Sequence, residues 1–253
     1  GIILGYRLNA DRERYIRGSL ETAAEMLIVG AQDGLSDAEL RQLDTGEPTS
    51  FAETLADGST VFLSEQTVTD NACKAAETLK QQGVSVVMMF DSFPLPALRE
   101  SGVITPSDLL EHGALSMRNQ GSIGVLQPIK EVMERELQHW QALGVPVVHA
   151  YAPPLMPGSP DNAQVEESIR NAPDEHLIQA ARTLVEQGAE VIVLDCFGYG
   201  NHHRELVFGV TGKPVILPTA YIGVTLNSMY CLAANKYPRA MAAHISGVNE
   251  CLK

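Results

Sequence analysis

The chain is poor in basic residues: 18 lysines and arginines stand against 31 acidic residues, a formal charge of −13. That balance argues against nucleic acid or an anionic membrane surface as partner, because both repel such a chain. It leaves room for a small anionic ligand, since backbone donors and single arginines set the field inside a cleft. Cysteine is also scarce. Cys73, Cys196, Cys231 and Cys251 make no CxxC pair and no dense framework, so reduced thiols are expected rather than structural bridges. No apolar run reaches the ~18 residues that a membrane span needs, and the opening Gly-Ile-Ile-Leu-Gly-Tyr-Arg is too short for a secretion signal, so a cytoplasmic location is expected. Neither a GxGxxG fingerprint nor a P-loop follows the Gly198-Tyr-Gly200 turn, which discounts a nucleotide. His202 and His203 lie near Cys196 in sequence, but no second cluster completes a tetrahedral set, so no metal is expected.

What is present is a stretch that occurs twice. Glu77-Thr-Leu-Lys-Gln-Gln-Gly83-Val-Ser-Val-Val-Met-Met-Phe-Asp91-Ser92 is matched by Arg182-Thr-Leu-Val-Glu-Gln-Gly188-Ala-Glu-Val-Ile-Val-Leu-Asp195-Cys196-Phe197. Aligning Gly83 with Gly188 sets Asp91 opposite Cys196. Each copy reads as a helix end, a left-handed glycine and a buried strand, the αβ half of a parallel βαβ unit. Two such units predict two similar lobes. Ligands bind beyond the carboxyl ends of parallel strands, so Asp91 and Cys196 are expected at the rims of a cleft between lobes.

Along the chain, strands are expected at Ile2–Leu4 and over 22–30, with a helix from Asp11 to Leu20. Ser36 with Glu39 three residues on is a capping box for a short helix through Leu43. Asp57-Gly58 reads as a turn between extended pieces, and Asp70 to Gln82 as the helix entering the first repeat. Residues 94–118 read as a Pro- and Gly-punctuated connection with helical pieces. Then come a strand at Ser122–Leu126, a helix over 129–143, a strand at Pro146–His149, a proline-rich loop over 151–162, a helix from Asp174 to Gln187, a last strand at Pro214–Leu217 and a helical pattern from Ala220 to Leu232. The 253 residues, 45% of them hydrophobic, suffice for a large core or two modest ones without metals or disulfides.

Moving a proton next to a carbonyl with inversion needs a base on one face, a donor on the other, and hydrogen-bond donors for the enolate oxygens. Cys196 and Asp91 are the candidate pair. With reference pKa values of about 8.5 and 3.9, the thiol has to be lowered and the carboxyl raised for both to exchange protons near neutrality. Backbone amides opening helices after Asp91 and Cys196, with Ser92, Gly198 and Asn201, are the expected oxyanion donors. Arg7 is a candidate carboxylate clamp, and Phe93, Gln127 and Phe197 complete the candidate substrate contacts. Each has a plainer alternative: Cys196 as a small buried hydrophobe, Asp91 as a helix cap, Arg7 as an ion-paired surface arginine.

Asp33-Gly34-Leu35-Ser36, Leu63-Ser64, the Gly83 strand ending before Phe93-Pro94, and above all Gly188-Ala-Glu-Val-Ile-Val-Leu-Asp195-Cys196-Phe-Gly198-Tyr199, with His203-Arg204 and Lys213-Pro214-Val215 beyond it, carry a resemblance over most of the chain. The sequence resembles the AroM-like proteins, a branch of the aspartate/glutamate (hydantoin) racemase superfamily. That resemblance implies two Rossmann-like lobes with pseudo-twofold symmetry, each a mostly parallel sheet flanked by helices, with the active site in the interlobe cleft. It also implies no organic cofactor and no metal, a cysteine at the lobe interface that moves a proton next to a carbonyl, and a homodimer. On this scheme residues 1–118 plus 223–253 form the first lobe and 119–222 the second. The chain departs from two-base racemases of the superfamily, which offer cysteine in both repeats, by offering Asp91 in the first. The expected activity is a cofactor-independent racemase or epimerase acting on a carboxylate or cyclic amide, such as an amino acid, a hydantoin or a cyclic dipeptide. The alternatives are a single-cysteine decarboxylase of a malonate-type acid and a small-molecule binding protein on the same scaffold.

Overall fold

The computed structural model describes residues 1–234 except 21, 23, 48, 50, 131, 132 and 156–164, and side chains as far as residue 229. Most of the loop expected over 151–162, the side chains of Cys231 and Cys251, and the tail assigned to the first lobe lie outside the described residues. Among those residues no helix is long and apolar enough to cross a membrane.

The N-terminal half opens with strand β1 (Ile2–Leu4), helix α1 (Ala10–Ser19) and strand β2 (Ile28–Gly30). The expected strand over 22–30 is thus confined to its last three residues. Thr22 instead accepts the Ala24 N–H and donates to the Asn227 side chain, bonds outside any strand ladder. Helix α2 (Asp37–Gln42) starts at the Ser36–Glu39 capping box, with both reciprocal hydrogen bonds formed. Strands β3 (Ala52–Thr54) and β4 (Thr60–Phe62) make the hairpin expected around Asp57-Gly58. Helix α3 (Glu65–Gln81) begins five residues before the expected Asp70, because Ser64 accepts the Thr67 N–H and caps it there. Strand β5 (Met88–Met89) follows, then helices α4 (Ala97–Glu100) and α5 (Pro106–Met117).

The C-terminal half runs through β6 (Ser122–Gln127), α6 (Met133–Gln141), β7 (Val147–Tyr151), α7 (Glu167–Asn171), α8 (Pro173–Glu186), β8 (Ala189–Leu194), α9 (Asn201–Thr211), β9 (Val215–Ile216) and α10 (Pro218–Ala234). Both main sheets are parallel. The first has order β2-β1-β5, extended by a parallel bridge between Met88 and Ile104, and the second has order β7-β6-β8-β9. Matching β1 with β6, β2 with β7, β5 with β8 and Ile104 with β9 superposes the two orders. The repeat read in the sequence is therefore one part of a repeated lobe.

Alternation along the strands sends side chains to two faces. On one face of the first sheet Ile3 and Met89 meet Val68, Ala72, Ala76 and Leu79 of α3. The equivalent face of the second sheet packs Leu126, Ile192 and Leu194 on Leu177, Ala181 and Leu184 of α8. The opposite faces are closed by exchange. Ile2, Leu4, Met88 and Phe90 are covered by Ile16 of α1 and by Ile222 and Leu226 of α10, a helix from the far end of the chain. Ile123, Val125, Val191 and Val193 are covered by Trp140 of α6 and by Leu110 and Ala114 of α5, which precedes that sheet in sequence. The two exchanged helices touch where Gly113 of α5 meets Tyr221 of α10: a Cβ on the glycine would lie 3.0 Å from the tyrosine ring. The docking of α10 on α1 is closer still, since a Cβ on Gly223 would sit 2.1 Å from the Leu20 carbonyl oxygen.

Candidate functional site

β5 and β8 end side by side at the seam between the lobes. The Ser92 hydroxyl, two positions before Pro94, donates to the backbone carbonyl of Asp195 at 3.4 Å, a bond between the two strand exits. Asp91 and Cys196, the paired residues of the repeat, flank that bond. Each also meets the first helix of the opposite lobe. On the Cys196 side, Tyr15 of α1 donates to the carbonyl of Phe197, and its phenol is pushed up to about 12 by burial and by the charge of Cys196. On the Asp91 side, the Arg135 guanidinium of α6 lies 4.7 Å over the Phe93 ring, and the neighbouring Glu136 carboxyl feels the charge of Asp91. The symmetry of the fold thus gives both strand ends the same kind of neighbour.

Asp91 is half-buried and its carboxyl is pushed up to about 7, by burial first and the Asp195 charge second, with the hydrogen bond from the Phe93 N–H at 3.0 Å pulling the other way. That hydrogen bond closes a turn, not a helix: residues 91–96 are irregular, with bends at Ser92 and Phe93, and α4 opens six residues on and lasts four. The expectation of helix amides just after Asp91 is corrected accordingly. Pro94 and Pro96 explain it, because each removes a backbone donor and keeps its predecessor out of the helical region.

Cys196 is also half-buried, and its sulfur accepts the Gly198 N–H at 3.3 Å. Such a bond is stronger to a thiolate than to a thiol. Helix α9 opens five residues after Cys196, with His203 Nδ1 accepting the Gly200 N–H at 2.9 Å. Asn201 is on its exposed first turn. Phe197 packs on Phe90 with ring centroids 4.1 Å apart, so its ring is a bridge between lobes. Tyr199 is buried and donates to the Ala152 carbonyl. Burial and then the charge of Cys196 raise its phenol well above the usual range.

Gln127 and Arg7 are engaged elsewhere. The Gln127 amide is buried and donates to Asp195 Oδ2 at 3.1 Å, and Trp140 Nε1 donates to the same oxygen at 3.0 Å. Burial pushes the Asp195 carboxyl up to about 6 against the hydrogen bond from Trp140. The Arg7 guanidinium donates to Asp37 at 2.7 Å and to the Thr54 carbonyl at 3.2 Å, and lies 3.8 Å from buried Glu53. It is spent on α2 and the hairpin, so the clamp expected from the sequence is a structural tie.

Two acids absent from the sequence reading complete the site. Asp195 lies under the seam, and Glu136 is 94% buried beside it; burial, then the Asp195 charge, push its carboxyl up to about 8 against Arg135 and His139. His139 is raised in turn by its 2.6 Å hydrogen bond to Glu111 of α5. Asp195 was visible only as the neighbour of Cys196. Glu136 sits in a run of alternating charge, Glu134-Arg135-Glu136, that reads as a solvated helix face. Among the described residues no group of three or more His, Cys, Asp or Glu is placed to hold a metal ion.

The family model described as AroM protein matches residues 9–230. No curated protein matches the chain. Among solved structures it is similar to allantoin racemase from Klebsiella pneumoniae, with 15% identity, a TM-score of 0.58 and coverage of 92% of this chain and 87% of that one. It is similar to a liganded double mutant of arylmalonate decarboxylase at 16% identity and TM-score 0.57, with 90% of each chain covered. It is also similar to an aspartate racemase homologue from Pyrococcus horikoshii OT3 at 12% identity and TM-score 0.54, covering 90% of this chain and 97% of that one. The two-lobed architecture is theirs as well, and with the family model spanning most of its length, the chain belongs to the AroM family, on the fold of the aspartate/glutamate racemase superfamily.

Proposed function

We propose that the protein is a cofactor-independent racemase or epimerase that moves a proton at a carbon next to a carbonyl, with Cys196 and Asp91 as the proton carriers. The observation that carries this reading is the pairing of these two residues at equivalent strand ends across one interlobe seam, joined by the Ser92–Asp195 bond. In one direction the Asp91 carboxylate takes the α-proton and the C–H electron pair moves into the carbonyl as an enolate. The Cys196 thiol then gives its proton to the opposite face of the same carbon, leaving Asp91 protonated and Cys196 a thiolate. The reverse turnover, or exchange with water, restores both. An Asp91 carboxyl held at about 7 suits such exchange near neutrality, because the optimum acid–base group has its pKa near the working pH. The 3.4 Å contact from Ser92 is the one that a substrate oxygen would displace.

Racemases and arylmalonate decarboxylase are both among the structural relatives, and an enolate is the shared intermediate of the two reaction types. The presence of a carboxylate where the second thiol of a two-base racemase would stand favours decarboxylation as the second reading. Proton NMR in deuterium oxide separates them, with amino acids, hydantoins, cyclic dipeptides and substituted malonates incubated with wild type, Cys196→Ser and Asp91→Asn. Loss of an α-proton signal with wild type alone supports proton transfer by both groups. Deuterium entering with loss of carbon dioxide, and surviving Asp91→Asn, selects the decarboxylase. Absence of exchange with every compound, while a known racemase works, refutes the catalytic reading.

A further inference from the structure

One peptide unit at the seam is gripped from both ends. The Gly198 N–H donates to Cys196 Sγ at 3.3 Å, and the carbonyl bonded to that same nitrogen, that of Phe197, accepts the Tyr15 hydroxyl. A trans peptide points its N–H and C=O in opposite directions, so the thiol lies on one side of this unit and the phenol on the other. The two partners belong to different lobes. Cys196 follows β8 of the second sheet, whereas Tyr15 is on α1, whose next residue, Ile16, is buried with Ile2, Leu4 and Phe90 of the first. Helix α1 is also tied down at Arg12, which donates to the Arg7 carbonyl at 2.6 Å and to buried Glu53 at 3.2 Å. The Phe197 ring, packed on Phe90, is held by the first lobe as well. The peptide that faces the thiol is therefore placed by the lobe to which the thiol does not belong.

We propose that Tyr15 is a positioning residue: by holding the Phe197–Gly198 peptide it aims the Gly198 N–H at Cys196, so that formation of the thiolate depends on contact between the lobes. This rests on the reading of Cys196 as a proton carrier and names how that site is regulated. A hydrogen bond accepted at a peptide oxygen strengthens the one that the peptide N–H donates. The strengthened bond favours thiolate over thiol, since a charged acceptor gains more from it. Burial, then the charge of Cys196, push the Tyr15 phenol up to about 12, which keeps it a donor at every working pH. The other titratable groups around the thiol do not replace it. Tyr199, on the same turn, feels the Cys196 charge but spends its hydroxyl on the Ala152 carbonyl. His203 of α9, lowered by burial, accepts the Gly200 N–H, and the carboxyls of Asp91 and Asp195 at the two strand exits bring negative charge.

The test is the pH dependence of Cys196 alkylation by iodoacetamide, from about pH 6 to about pH 10, in wild type, Tyr15→Phe and Tyr199→Phe, read by mass spectrometry of the peptide that carries Cys196. The midpoint of the profile reports the acidity of the thiol and the limiting rate reports access to it, so a role in packing alone would move only the limiting rate. Tyr15 is 39% exposed, so losing the hydroxyl leaves no buried void, and circular dichroism checks that each variant folds. The expected result is a midpoint about half a unit higher in Tyr15→Phe, or about threefold slower alkylation at pH 7, and an unmoved midpoint in Tyr199→Phe. The same half unit should separate Asp91→Asn from Asp91→Asn with Tyr15→Phe, a pair in which the titration of Asp91 plays no part. A midpoint that Tyr15→Phe leaves in place or lowers, or that Tyr199→Phe raises as far, overturns the proposal. The assay uses no substrate and is read apart from turnover: deuterium exchange with an unmoved midpoint removes only the positioning role, and a raised midpoint without exchange of any compound removes only the catalysis.

Discussion

Glutamine at position 136 should stabilise the protein, by an amount that depends on pH. Glu136 keeps its proton in the folded chain up to about 8, against 4.5 for an ordinary glutamate. Between those values the folded state binds a proton that the unfolded state has released, so stability falls as pH rises, by about 1.4 kcal/mol per unit. At pH 7 the interval above 4.5 is about 2.5 units, which makes the cost about 3 kcal/mol. The side chain is only 8% exposed, so solvent screening takes little from this figure. Glutamine has nearly the same shape and ionises in neither state. The neutral carboxyl has no ionic attraction to Arg135 and His139 to lose, so the advantage of glutamine should grow by about 3 kcal/mol between pH 4.5 and pH 7. Urea unfolding at pH 5, 6, 7 and 8 measures it, and the single tryptophan, Trp140, is a ready probe because it is buried against Asp195. A difference between the two proteins that stays constant from pH 5 to pH 8 would mean that Glu136 is ionised in the fold, and would sink the reasoning.

Three further outcomes are expected. Exchange of a substrate α-proton through Asp91 needs its carboxylate, so the rate should rise with pH and level off above about 7, and Asp91→Asn should abolish that rise; a pH series of deuterium incorporation tests it. Gly223→Ala drives a methyl into the Leu20 carbonyl, 2.1 Å from the new Cβ, and should cost about 3 kcal/mol in urea unfolding. Arg7→Ala removes the ties to Asp37 and Thr54 and should lower stability by about 1–2 kcal/mol while leaving KM unchanged; a raised KM would restore the clamp role.

The sequence showed the seam better than it showed what surrounds it. Gly83 and Gly188 fix comparable helix ends, both with positive φ, so the strands that follow stand in equivalent places and carry Asp91 and Cys196 to equivalent rims. Helix and strand identity was readable where period and caps agreed, as at Ser36. The start of α3 was missed because Ser64 lies before any apolar periodicity. The exchange of α5 and α10 had a trace that went unread: Val103-Ile-Thr-Pro106-Ser repeats as Val215-Ile-Leu-Pro218-Thr, and both prolines open the exchanged helices. Glu136 was invisible for a different reason. The charges of Asp195 and Asp91 reach it from other elements, and no local pattern encodes the proximity of residues so far apart in the chain.

The exchanged helices also dictate an order of events during synthesis. The face of the first sheet carrying Ile2, Leu4 and Phe90 stays partly bare after residues 1–118 have emerged, because Ile222 and Leu226 arrive last. The second sheet, by contrast, finds Leu110 and Ala114 already made and waiting. A nascent chain therefore has Leu110, Ala114 and Trp140, which cover the later sheet, before it has α10, and the face carrying Ile2, Leu4 and Phe90 is completed only after α10 has been made.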